Sequence, residues 1–326
     1  MKKTNILMLA LLASASTFFY SCDDDQLEDK RNPKPTLSVD KKSVLATEGD
    51  VITFTVTIDK PLAKDVDFKI ELESGSGNFR DFTCSGEETT IDEGGFGQGK
   101  IGYKLVLPAL ETSATFTITP NKDLFVEGSE TLKLKLKSSG NMLAMVSPDS
   151  EFIDIGVNDF VSNNVGVDLV WGKVTNSHGT ISDLEFEDGD GNNASTHDTD
   201  FDLFILNSAG TAINNTGATS ANPEFTQLLA TAPNGVYYVY AELYDFGSTP
   251  PVKPLSYDLT FQISKYGTWA TTVKVPTTSD ESFADVVAVI IKTGNNYVVE
   301  DIDGNTLASG KYKSIVENFK KSKRSK

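Results

Sequence analysis

The stretch Asn121-Lys122-Asp123-Leu124-Phe125-Val126-Glu127-Gly128-Ser129-Glu130-Thr131-Leu132-Lys133-Leu134-Lys135-Leu136-Lys137 carries two signals side by side. Its second half alternates Leu with Lys, so Leu132, Leu134 and Leu136 point one way and the three lysines the other. A period of two belongs to a strand with one face in a core and one in water, not to a helix. Its first half is a turn crowded with carboxylates. The alternation recurs upstream. Ile52, Phe54, Val56 and Ile58 alternate with threonines, as do Ala114, Phe116 and Ile118. Val66, Phe68, Ile70 and Leu72 alternate with Asp67, Lys69, Glu71 and Glu73. Short alternating runs broken by Gly, Asp, Asn and Pro predict an antiparallel β-sandwich of about seven strands over residues 35–160.

Four motifs punctuate this half in order: Ala46-Thr47-Glu48-Gly49-Asp50, Arg80-Asp81-Phe82-Thr83, the acidic turn from Asn121 to Thr131, and the closing strand Ile153-Asp154-Ile155-Gly156-Val157-Asn158-Asp159. In that order and spacing they resemble a Calx-beta domain, an immunoglobulin-like sandwich. Asp123, Glu127 and Glu130 match the family's acidic turn, and Asp159 matches its closing strand. The resemblance implies a calcium site built from Glu48, Asp81, Asp123, Glu127, Glu130 and Asp159. The physical reading is parallel. Calcium takes about six to eight oxygen ligands, and loops from several strands converge at one end of a sandwich. Without a cation such carboxylates repel and raise one another's pKa. Two positions depart from the family pattern: Lys122 stands where an aspartate is usual, and Asn158 replaces a carboxylate. The Lys122 ammonium would then fill the site as an internal counter-ion. Alternatively, Glu127 and Glu130 only cap a turn.

Strand-like runs resume after a short hinge at 158–164: Val165–Val174, Phe201–Leu206, Val236–Tyr244, Tyr257–Ser264, Val286–Lys292 and Tyr297–Asp301. Residues 165–314 therefore read as a second β-sandwich, which makes the fold class all-β with two tandem antiparallel sandwiches. The segments around Asp200-Phe201-Asp202-Leu203, Gly235-Val236-Tyr237-Tyr238-Val239 and Tyr257-Asp258-Leu259 resemble bacterial pre-peptidase C-terminal domains, which are jelly-roll-like and non-catalytic. Residues 181–202 hold eight carboxylates and no Lys or Arg. Asp188, Asp190, Asp200 and Asp202 form a looser candidate calcium site there, with a solvated acidic loop as the plain alternative. Asp188-Gly189-Asp190-Gly191-Asn192 and Asp301-Ile302-Asp303-Gly304-Asn305 each lack the sixth-position glycine of an EF-hand loop, and neither has a flanking helix. Trp171, Trp269 and the tyrosines of 237–244 are candidates for a sugar-stacking face, although period two sends Tyr237 and Tyr238 to opposite sides.

The start of the chain sets the compartment. Lys2-Lys3, the apolar Ile6–Leu12 and the small residues 13–17 have the layout of a secretory signal over residues 1–21. Ser21-Cys22 then resembles the lipobox of bacterial lipoproteins, which implies acylation of Cys22 and a membrane anchor, palmitate being one such acyl group. Asp23-Asp24-Asp25 resembles the signal that sends some Gram-negative lipoproteins to the outer face of the outer membrane. Residues 22–34 read as a lipidated cysteine and acidic tether, and 315–326 as a basic tail. Cys84 is the other cysteine and reads as a half-buried side chain. Phe96, in a glycine-rich loop, is a candidate contact for a partner.

The chain has 326 residues and a formal charge of −17; loss of the leader leaves 27 basic against 46 acidic side chains, or −19. Such acidity excludes a nucleic-acid partner. Two His and two Cys leave little for a zinc hydrolase or a triad, and no nucleophile elbow is present. These features predict a non-enzymatic, lipid-anchored surface protein that presents a β-sandwich to glycan or protein ligands in adhesion. An accessory subunit of an outer-membrane nutrient-uptake complex is the alternative. A surface hydrolase with its site in the second domain is a third reading.

Overall fold

A computed structural model describes residues 33–77, 81–89, 102–172, 175–176, 179–180, 184–279 and 283–309. The leader, Cys22 and its tether as far as residue 32, Phe96, His178 and the basic tail lie outside the described residues. Among the described residues all regular structure is β, apart from short 3-10 turns at Pro148–Ser150 and Thr196–Asp198.

The first half folds as eleven strands: β1 (Thr36–Val39), β2 (Ser43–Thr47), β3 (Ile52–Ile58), β4 (Val66–Gly75), β5 (Phe82–Cys84), β6 (Glu87–Thr89), β7 (Gly102–Leu107), β8 (Ser113–Pro120), β9 (Ser129–Ser138), β10 (Met145–Val146) and β11 (Phe152–Asn158). They form two facing sheets, ordered β10-β1-β3-β8-β5 and β2-β11-β9-β4-β7-β6. This exceeds the expected seven because short edge segments join each sheet; β10 and β2 pair in parallel with β1 and β11. The Leu–Lys run is strand β9, with Leu132, Leu134 and Leu136 buried against Phe54, Phe68 and Phe116. On the inner face of the first sheet the paired Phe54 and Phe116 rings stack at 5.3 Å. One expectation fails on β4. Alternation puts Lys69 and Glu71 on the water side, yet both are buried and paired at 3.5 Å, and Lys137 reaches the same Glu71 oxygen at 2.9 Å. Mutual pairing makes burial of these charges tolerable. Gly102 on the neighbouring strand leaves the space, since a Cβ there would lie 2.8 Å from Lys69 Cε.

The second half contains β12 (Val165–Trp171), β13 (Thr175–Asn176), β14 (Gly179–Thr180), β15 (Glu185–Glu187), β16 (Asn193–Ser195), β17 (Asp200–Leu206), β18 (Glu224–Leu228), β19 (Gly235–Asp245), β20 (Ser256–Lys265), β21 (Trp269–Thr278), β22 (Ala284–Thr293), β23 (Asn296–Glu300) and β24 (Thr306–Ser309). Its sheets run β18-β12-β20-β21 and β17-β19-β22-β23-β24, enclosing a separate core that includes Leu169, Phe201, Val239 and Phe261. Besides the short β13–β16 and β24, the sequence reading omits two longer strands, each for a physical reason. β21 is an edge strand that tolerates Pro276 and leaves most residues half exposed. β18 has a reversed pattern, with Glu224 and Thr226 buried and Phe225 outside.

The two tryptophans do not form a binding platform. Trp171 is core, its ring 5.3 Å from Phe201 and its Nε1–H donating to Thr199 O at 2.7 Å. Trp269 packs half-buried against the same core. Tyr237 is buried, its hydroxyl donating to Pro233 O at 2.7 Å. The hairpin Asp188–Asn192 is an Asx turn, in which Asp188 Oδ1 accepts the N–H of Asp190 and of Asn192 at 2.9 and 2.8 Å. Asp301 does the same for Asp303 and Asn305 at 3.0 and 2.7 Å. These bonds hold both carboxyls below the usual range, the bonds from Asn192 and Asn305 being the largest cause.

Candidate metal centre

Strand register builds an acidic cluster at one end of the first sandwich. The end of β11 lies between the end of β2 and the start of β9, with Asn158 opposite both Thr47 and Ser129. In the other sheet the end of β8 meets the start of β5, Pro120 opposite Phe82. Every acidic candidate sits within a few residues of one of these strand ends. Glu48 follows β2, Asp81 precedes β5, Asp123 and Glu127 lie between β8 and β9, Glu130 begins β9 and Asp159 follows β11.

Backbone hydrogen bonds lock the loops together. Glu48 N–H donates to Asn158 O at 3.0 Å, Gly49 N–H to Pro120 O at 2.7 Å, Asn121 N–H to Asp81 O at 2.7 Å, and Asp159 N–H to Gly128 O at 3.1 Å. Carboxylate oxygens of Glu48, Glu127 and Asp159 lie within 4.8 Å of one another. Asp81 Oδ2 and Glu130 Oε2 flank Gly77, 3.0 and 3.4 Å from where a Cβ would sit. Asp123 Oδ1 caps its own turn by accepting Phe125 N–H at 2.8 Å.

The charges feel one another. Burial pushes the Glu48 carboxyl up to about 7, against the hydrogen bond from Phe160 N–H, with Asp123, Asp159 and Glu130 adding repulsion. Burial lifts Glu127 to about 8, helped by Asp123, Glu130, Asp81 and Glu48. Glu130 is raised by burial and then by Asp81, Asp123 and Asp159. Six carboxylates that are widely spaced in sequence thus occupy one electrostatic neighbourhood. The donor set is all oxygen, which fits a hard cation such as calcium and gives no support to soft metals.

The two departures from the family pattern resolve structurally. Asn158 Oδ1 accepts from Ser129 Oγ at 2.8 Å, fastening β11 to β9. Lys122 is not an internal counter-ion: its ammonium lies 3.9 Å from the centroid of the Phe160 ring, and no ion pair with the cluster is seen among the described residues. Its stem crosses Gly49, where a Cβ would fall 2.1 Å from Lys122 Cε at a backbone φ of +84°. Only glycine combines that left-handed angle with that approach.

The four second-sandwich carboxylates do not assemble. Asp188 and Asp190 lie in the hairpin turn, where Asp190 Oδ2 accepts from Thr249 Oγ1 at 2.6 Å. Asp200 and Asp202 lie on β17, raised by burial and then by Asp245, or by Asp200 and Glu242. No three of the four reach mutual ligating distance among the described residues.

Next to the acidic cluster the two sandwiches touch. Phe160 meets Tyr266 edge-on at 5.6 Å, and buried Leu124 presses on Gly166. A cavity of about 540 Å³ opens beside Asp123 and Phe125, walled by second-sandwich residues that include Asp168, Asp258, Gln262 and Lys274. Asp168 is pushed up to about 7 by burial and by Asp123. Sequence reasoning missed it because a single Asp in an apolar strand carries no motif.

No family model matches the sequence, and no curated protein does. Three solved Calx structures align with it. The apo-form Calx CBD1 domain is 12% identical with a TM-score of 0.27, over 38% of this chain and 96% of that one. CBD12 from CALX1.2 is 11% identical with a TM-score of 0.28, over 70% and 79%. The calcium binding domain CBD12 of CALX1.1 is 10% identical with a TM-score of 0.27, over 70% and 80%. At scores this low the site stands on its own geometry.

Proposed function

We propose that this chain is a non-enzymatic, lipid-anchored surface protein whose first sandwich binds calcium and whose second is presented to a glycan or protein ligand in adhesion. One observation carries the calcium reading: the Glu48, Glu127 and Asp159 oxygens lie within 4.8 Å of one another with Glu48 buried. Glu130, Asp81 and Asp123 surround them, and bound calcium would relieve the repulsion that adds to burial in raising Glu48, Glu127 and Glu130. The leader and Ser21-Cys22 support the anchored location. The cavity beside Asp123 supports the ligand reading, because Asp258, Gln262, Thr260 and Lys274 offer donors and acceptors suited to hydroxyls. The test is thermal melting of the mature chain with calcium and with chelator. Calcium at about a hundred times its dissociation constant stabilises by about 2.7 kcal/mol, so a clear rise in midpoint is expected. Identical midpoints overturn the calcium reading. Glycan-array screening with the same protein tests the ligand reading.

A further inference from the structure

A second group of oxygens lies in the other sandwich, and several of its buried atoms are orphaned. Glu224 opens β18 opposite Leu169 of β12, so its side chain shares the inward face and is 1% exposed. Its Oε1 is saturated: Thr219 Oγ1 donates at 2.5 Å, Thr219 N–H at 3.1 Å and Ala221 N–H at 3.2 Å. Its Oε2 is buried and has no hydrogen-bond partner. The same holds for Asn222 Oδ1, Asp200 Oδ1 and Thr199 Oγ1, and Thr199 is itself 2% exposed.

Trp171 brings the loops that carry these groups together. Its carbonyl accepts Asn222 Nδ2–H at 2.9 Å, and its ring N–H donates to Thr199 O at 2.7 Å. Asp200 follows directly at a bulge in β17, and bulges re-aim side chains. Glu224 is raised chiefly by burial, and Asp200's charge adds to that against the hydrogen bonds from Thr219 and Ala221. Four buried oxygens without hydrogen-bond partners, on segments that Trp171 ties together, cost free energy unless something positive sits among them.

We propose that Glu224, Asp200, Asn222 and Thr199 form a second calcium site, in the second sandwich. Two carboxylates balance one divalent charge, and the amide and hydroxyl oxygens complete a hard, all-oxygen donor set. Glu224 is already held for one-oxygen ligation by the three donors on Oε1. The site is independent of the first-sandwich cluster and shares no residue with it.

Terbium, which replaces calcium at oxygen sites and emits when a nearby indole is excited, separates the two sites. The chain has two tryptophans, both in the second sandwich, and Trp171 bonds directly to two of the four ligand residues. Full-length mature protein is titrated with terbium under tryptophan-selective excitation. Saturable emission that calcium displaces is expected, retained in Glu127→Gln and weakened at least tenfold in affinity in Glu224→Gln. Thr199→Val removes the orphan hydroxyl but keeps the backbone acceptor for Trp171. It is expected to weaken binding several-fold and serves if Glu224→Gln does not fold. Trp171→Phe should abolish the emission while calorimetry still detects calcium. Absence of saturable emission from the wild type overturns the site, as does unchanged affinity in Glu224→Gln or Thr199→Val. Loss of emission in Glu127→Gln alone would assign the signal to the first cluster and also overturn it.

Discussion

In chelator, replacing Glu48 with glutamine should stabilise the first sandwich at pH 8 and leave it unchanged at pH 4. Glu48 is 7% exposed, and its Oε2 accepts the Phe160 N–H at 3.0 Å, a bond that a glutamine carbonyl retains. Burial, then repulsion from Asp123, Asp159 and Glu130, pushes its carboxyl from 4.5 to about 7. The folded chain therefore holds this proton more tightly than the unfolded chain does. The resulting stability is complete below the unfolded value of 4.5 and is lost as pH rises through about 7. At pH 8 the group is charged in both states, and the folded chain bears a penalty of about 3 kcal/mol, at about 1.4 kcal/mol per pH unit. Protons shared with Glu127 and local relaxation reduce the expected gain to roughly 1–3 kcal/mol. At about 2.1 cal/mol/K per residue over a domain of about 120 residues, that raises the midpoint by about 4–12 °C. Calorimetric melts of both proteins with chelator at pH 4 and pH 8 read it directly. With calcium at pH 8 the order should narrow or reverse, because only the wild type keeps the full ligand set. A glutamine variant that melts lower at pH 8 in chelator refutes the reasoning, as does one that gains equally at both pH values.

Lys122→Met keeps the aliphatic stem over Gly49 but removes the charge from the Phe160 ring. It should cost about 0.5–2 kcal/mol in melts, and calorimetry should show tighter calcium binding because a neighbouring positive charge is gone. Leu134 and Leu259 are each fully buried in separate cores. Leu134→Ala and Leu259→Ala should each cost about 2–5 kcal/mol, and calorimetry should show that each lowers a different transition. Equal displacement of a single transition would show that the sandwiches unfold as one unit.

Much of the architecture was legible along the chain, because an alternating strand needs only its own residues to declare a buried face. Leu132–Leu136, Ile52–Ile58 and Phe201–Leu206 all lie in strands close to where period two puts them. The two Asp-x-Asp-Gly-Asn turns were equally readable as turns rather than EF-hand loops, since their bonds close within five residues. Legibility failed where a polar group faces inward. Glu224 and Thr226 invert the pattern of β18, and Lys69 and Glu71 are buried on a face that alternation assigned to water.

The sequence by itself determined two β-sandwiches, the strand ends that carry Glu48, Asp81, Asp123, Glu127, Glu130 and Asp159, and the scarcity of His and Cys. Tertiary structure alone decided which acids meet. Strand register sets Thr47, Asn158 and Ser129 abreast and so gathers the first cluster, while the same physics leaves Asp188 and Asp190 apart from Asp200 and Asp202. It also decided that Lys122 turns to Phe160 and that Glu224 is buried where Asp200's charge reaches it. The reason is range: a strand's pattern is written over a few neighbouring residues, whereas Coulomb repulsion and metal ligation depend on distances set by pairings many tens of residues apart.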